Sequence, residues 1–197
     1  MTKNDLSRRR FIQMAALGSG SILLFARCKN PSAKSSWRFF TEKEVSLVDE
    51  IVEQIIPKDE WPGAKDAGVT NFIDRQLVGP FVRHQQIYRK GLAAMQASCN
   101  SLYQKQFQEL SWNEQTNLLK EMSEGRLSDI PKDNKTGKQV NKIWEMGFDR
   151  IFFNLICDHT MQGFYGSPRH GGNLNYVSYK MIGLDYPFVI GQNRNNS

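Results

Sequence analysis

The densest group of residues able to do chemistry is Cys157-Asp158-His159, with His170 a short way on. A thiol, a carboxylate and imidazoles are the ligand types of metal sites and the working parts of acid–base catalysis. They support one functional reading, a self-sufficient metal-binding protein or enzyme using Asp158, His159 and His170. Spacing argues against it, because 157, 158 and 159 are successive helical positions that point in different directions. The pattern instead puts His159 at a helix C-terminus, where an imidazole bonds terminal carbonyls and meets the negative end of the dipole. His84 stands alone on a helix and reads as a surface residue.

The cysteines Cys28, Cys99 and Cys157 are too far apart for C-x-x-C-H haem attachment or for an iron–sulfur or zinc cluster. Cys99 and Cys157 fall on apolar stripes. They either pair with each other, bridge to another subunit, or are two small buried hydrophobes, and the last reading is favoured. No G-x-G-x-x-G and no P-loop lysine motif occurs, so no cofactor is expected in this chain. The most unusual segment is Gly163 to Asn173, which combines Gly163, Gly166, Gly171 and Gly172 with Phe164, Tyr165 and Pro168. Glycines in that density predict a backbone that approaches something closely. Tyr176, Tyr179 and Tyr186 continue the aromatic character. Interface and simple return turn weigh equally on spacing alone.

The elements that must position these residues are helical. Thr41-Glu42-Lys43-Glu44 reads as a capping box, followed by Val45, Val48, Val52 and Ile55 at helical spacing until Pro57. A short helix carries Val69, Phe72, Ile73 and Leu77 as far as Gly79-Pro80. A longer one bears the stripe Phe81, Tyr88, Leu92, Met95, Cys99 and Leu102. Ser111 and Glu114 form a second capping box before Leu118, Leu119 and Met122. Residues 123–138 read as a polar surface loop. Val140 to His159, with Trp144, Phe148, Ile151, Phe152, Leu155 and Ile156 inward, reads as the central helix. With no alternating strand pattern, residues 37–190 are predicted to form one all-α domain, a single irregular helical bundle.

Residues 1–33 form a separate leader and linker. Ser7-Arg8-Arg9-Arg10-Phe11-Ile12 opens an apolar run to Ala26 that glycine and serine dilute, which is the twin-arginine export pattern. The run has 16 residues, short of the roughly 18–20 that a spanning helix needs. Leu24-Phe25-Ala26 and Pro31-Ser32-Ala33 are alternative cleavage sites. Cys28 after the apolar run invites lipidation, and Arg27 before it argues against that. The leader to residue 28 holds +4 of the net charge of +6. The body is therefore nearly balanced, without the basic stripe of a nucleic-acid binder. The expected location is the periplasm, reached through the twin-arginine translocase, which moves folded proteins. A mean hydropathy of −0.53 excludes a polytopic membrane protein.

Taken in order, these motifs resemble the gluconate 2-dehydrogenase subunit 3 family. The resemblance rests on the leader, Ile55-Ile56-Pro57, Pro62-Gly63-Ala64, Val69 with Phe72-Ile73-Asp74, and Phe107 with Leu110-Ser111 and Glu114-Gln115. Gly163-Phe164-Tyr165-Gly166 and Gly171-Gly172-Asn173 complete it. Tyr179 departs from the family's tryptophan before Lys180. The resemblance implies a noncatalytic small subunit. Its partner would be an FAD-dependent glucose-methanol-choline-type large subunit, with a cytochrome c subunit carrying haem c as electron acceptor. The small subunit would supply the export signal and assist folding. Phe164, Tyr165, Gly171, Gly172, Asn173, Tyr176 and Tyr179 are the expected contact residues.

Overall fold

Thr41 opens the first helix by accepting the Glu44 amide at 3.3 Å, while the Glu44 carboxylate takes the Thr41 amide at 2.8 Å. Two orphan donors are satisfied reciprocally, as the capping box predicts. Helix α1, Glu42–Ile55, then turns Val45, Leu47, Val48, Ile51 and Val52 inward. The computed structural model describes residues 36–127 and 143–184. Five more helices follow: α2 Val69–Leu77, α3 Gln85–Tyr103, α4 Trp112–Ser123, α5 Phe148–Tyr165 and α6 Val177–Met181. Among the described residues there is no strand, and the fold is all-α. Ser7, Arg8, Arg9, Phe11, Ile12, Cys28, residues 185–190 and most of the 123–138 loop lie outside them.

Helix α5 packs on α1, α2, α3 and α4 and is the central helix, as expected. Its limits differ from the prediction. Gly147 adopts φ +71°, a left-handed conformation, so the helix starts only at Phe148 rather than Val140. Trp144 is still buried, on the segment before the helix, with Nε1 donating to Ser98 Oγ at 2.8 Å. Ile151, expected inward, is 53% exposed. In α3, Tyr88, Leu92, Met95 and Cys99 are buried as their spacing predicts, but Leu102 is exposed. Phe81 precedes the helix, which begins after a 3₁₀ turn over Val82–His84.

Two features tie the helices together. At the α3–α5 crossing, Gly91 leaves room for a ring, since a Cβ there would sit 2.4 Å from Phe152. Near the amino-terminal end of the described chain, the Asp74 carboxylate accepts the amides of Arg38, Phe39 and Phe40 at 2.8, 2.9 and 2.9 Å. Arg89 clasps the same segment, bonding the Phe39 carbonyl, stacking over the Phe39 ring at 3.9 Å and pairing with Glu44. Burial opposes ionisation of Glu44, but the Arg89 and Thr41 hydrogen bonds outweigh it and hold the carboxyl below its usual range. No helix among the described residues is long and apolar enough to cross a membrane.

Candidate partner-binding face

The Gly163–Asn173 segment is used first by the fold itself. A Cβ on Gly163 would meet Phe72 at 2.9 Å, and one on Gly172 would lie 2.2 Å from the Gly163 carbonyl oxygen. The close approach that the glycines predict is thus between the end of α5, the return loop and α2. Gly171 has φ +104° and its carbonyl accepts from Asn71 Nδ2 at 2.8 Å. Asn173, itself left-handed and buried, donates Nδ2 to the Gly166 carbonyl at 2.9 Å. Its Oδ1 accepts the Ser178 amide at 3.0 Å at the start of α6. Of the seven expected contact residues, Phe164, Gly171, Gly172 and Asn173 are buried in the chain. Their side chains and backbone serve packing within the chain. Tyr165 is 48% exposed, and Tyr176 and Tyr179 are half-buried.

Beside Tyr165 lies an open groove of about 390 Å³ between α2, the turn after it and the end of α5. Phe72, Phe81, Met161 and Tyr165 line it, with Gln76, Gln162 and His170 as polar members. Met161 and Tyr165 are exposed, and so are Val78 and Val82 on the neighbouring turn. Clustered apolar side chains of this kind mark a contact surface more readily than scattered ones do.

The candidate catalytic residues do not assemble. Asp158 and His170 are exposed, whereas His159 is buried in the interior of α5, not at its end. Its ring is sandwiched between Phe81, 4.1 Å away and nearly parallel, and Tyr88, 5.7 Å away at 9°. The Tyr88 hydroxyl bonds His159 Nδ1 at 3.0 Å. His84 is not solitary either, since its ring lies 5.2 Å from that of His159. Burial, with help from the nearby His84 and Arg83 charges, pulls the His159 imidazole down to about 4. Burial likewise raises the Tyr88 phenol well above its ordinary value. The result is a neutral, stacked, hydrogen-bonded pair under the groove. Among the described residues no three His, Cys, Asp or Glu gather as a metal requires.

Cys99 and Cys157 are both free thiols, Cys99 buried and Cys157 half-buried. Burial pushes Cys99 up to about 12 and Cys157 up to about 11, the neighbouring Asp158 adding to the latter. Thiolate is scarce in such surroundings, so neither is placed as a nucleophile. Two architectural residues, Gly91 and Arg89, escaped the sequence reading because their partners, Phe152 and the Phe39–Glu44 segment, are distant in the chain.

These observations first define a class: an all-α chain with an apolar groove at its surface and a tightly packed interior. Within it, the chain belongs to the gluconate 2-dehydrogenase subunit 3 family, whose family model matches residues 42–185. The family is that of a subunit of a dehydrogenase complex, which implies dehydrogenase subunits as partners. No curated protein and no solved structure was found to match the chain.

Proposed function

We propose that the chain is the noncatalytic small subunit of a periplasmic FAD-dependent dehydrogenase acting on a sugar or sugar acid. In this reading it carries the export signal for the flavoprotein subunit and escorts it in folded form. FAD belongs to the large subunit, and haem c to a cytochrome subunit of the same complex. The observation that carries the reading is the combination of family membership over residues 42–185 with the twin-arginine sequence pattern at Ser7 to Ile12. A leader for folded cargo on a chain with no cofactor motif makes sense when the cargo is a cofactor-bearing companion. The apolar groove beside Tyr165 supports it, because a subunit needs a face to offer its partner.

The test is to replace the leader pair, Arg8→Lys with Arg9→Lys, in cells that make the whole complex. Dehydrogenase activity and bound flavin are then measured in periplasmic and cytoplasmic fractions. Activity stranded in the cytoplasm is expected. Undiminished periplasmic activity would remove the escort role.

A further inference from the structure

The groove beside Tyr165 has a charge pattern as well as an apolar lining. Phe72, Phe81, Met161 and Tyr165 line it, and no lining residue is a carboxylate or an ammonium. Arg75, Arg83 and Arg169 come from the same three stretches of chain. Arg75 precedes Gln76 and packs on the return loop, where a Cβ at Gly171 would lie 2.9 Å from its Cδ. Arg83 lies two residues past Phe81 and donates Nε to His84 Nε2 at 3.1 Å. Arg169 adjoins His170 and is exposed.

Among the described residues none of these three arginines forms an ion pair, whereas Arg89 and Arg126 do, with Glu44 and Glu121. Asp158, one turn before Gln162, is the single acidic residue on the Asp158–Tyr165 stretch of α5. Methionine, aromatic and arginine side chains are the types enriched where interfaces concentrate their energy. An apolar cleft whose lining residues Gln76, Phe81 and His170 have Arg75, Arg83 and Arg169 close by in the chain fits an apolar side chain with carboxylates beside it, since carboxylates can take bidentate bonds from arginine.

We propose that this groove is the docking site for the dehydrogenase subunit, and that it seats an apolar anchor side chain of that subunit flanked by Asp or Glu. The inference rests on the subunit reading above and adds the face and the partner's chemistry. Opposite charge at the rim speeds encounter and fixes register, while the seated anchor sets how long the complex lasts.

The test uses the full chain, tagged and made together with its dehydrogenase subunit, which is identified in the eluate by mass and flavin absorption. Met161→Glu places a charge in the groove, and Arg83→Glu with Arg169→Glu reverses the rim. Ile151→Glu, an exposed position on α5 outside the lining, is the control. Recovered flavoprotein is expected to fall about tenfold or more with Met161→Glu, the size of a central anchor's contribution. The arginine pair is expected to weaken recovery at low salt and to flatten the loss that rising salt causes in the wild type. Ile151→Glu should match the wild type. Helical circular dichroism and melting show whether each variant is folded, and the arginine pair changes only exposed side chains. Wild-type recovery by both folded groove variants overturns the proposal. If they instead abolish self-association of the chain while flavoprotein recovery is intact, the occupant is a second copy and the proposal also falls. No flavoprotein with the wild type would defeat the subunit reading itself, and this inference with it.

Discussion

Asp74 illustrates how a single residue can decide where a chain enters its fold. Its buried carboxylate holds three successive amides, Arg38 to Phe40, so that Phe40 reaches the core and Thr41 stands ready to cap α1. Asp74→Asn exchanges one accepting oxygen for a donor that faces amides. It is expected to lower stability by about 2–3 kcal/mol, the scale for losing charge-assisted bonds to a buried acceptor. Urea unfolding of the full chain checks this, and an unchanged midpoint would show that the segment is held otherwise. His159 makes a second residue-scale prediction. Its folded value of about 4 lies below the ordinary 6.5. The unfolded chain therefore takes up the proton first as pH falls. The stability it contributes is complete above pH 6.5 and is lost progressively toward pH 4. At about 1.4 kcal/mol per pKa unit, the loss is about 3 kcal/mol. His84, also lowered by burial and Arg83, contributes with the same sign. His159→Phe should flatten most of the slope in urea midpoint between pH 6.5 and 4, while a slope equal to that of the wild type would show that other groups govern it.

At the scale of elements, the glycines do what no single helix reveals. Gly91 would ordinarily gain from replacement by alanine, since glycine within a helix costs about 0.5–1 kcal/mol. Here the new Cβ would meet the Phe152 ring at 2.4 Å, at the crossing of α3 and α5. The clash should win, and Gly91→Ala is expected to destabilise by about 1–3 kcal/mol, the range for overpacking a filled site. Gly172→Ala should be worse, because the obstacle is the Gly163 carbonyl, which is backbone and cannot rotate aside. Thermal melts of the two variants would check the order, and a more stable Gly91→Ala would contradict it. What was legible in the sequence follows the same division. Both capping boxes and the stripe of α3 were readable because they depend on residues three to seven apart, and α1 and α4 begin where Thr41 and Ser111 predict. The start of α5 was not, since an apolar run at helical spacing continues across Gly147 and only the backbone φ there breaks it. The groove was half legible. Tyr165 was found from composition, but Met161, Phe81 and Phe72 meet it only after α2 and α5 pack, and the buried Phe164 and Asn173 share its composition without its exposure.

At the scale of the whole molecule, the leader and the helical body are distinct stretches of chain, and the proposed function gives each a task. If the leader were sufficient, fusing residues 1–35 directly to the dehydrogenase subunit would replace the entire chain. The apolar groove beside Tyr165 argues otherwise. An apolar partner surface that such a groove would cover is, left uncovered, an aggregation liability, and a companion that binds only the folded form stabilises it by mass action. Export of folded cargo makes that stabilisation a precondition for passage, not merely an aid afterwards. The fusion, made in cells lacking the rest of this chain, is therefore expected to yield little periplasmic activity. Supplying residues 36–197 as a separate leaderless polypeptide should restore much of it. The measurement is dehydrogenase activity and flavin content in the periplasmic fraction, with and without the second polypeptide. Full activity from the fusion alone would reduce the body to a handle for its leader, whereas rescue that fails specifically with Met161→Glu in the supplied body would tie the escort role to the groove.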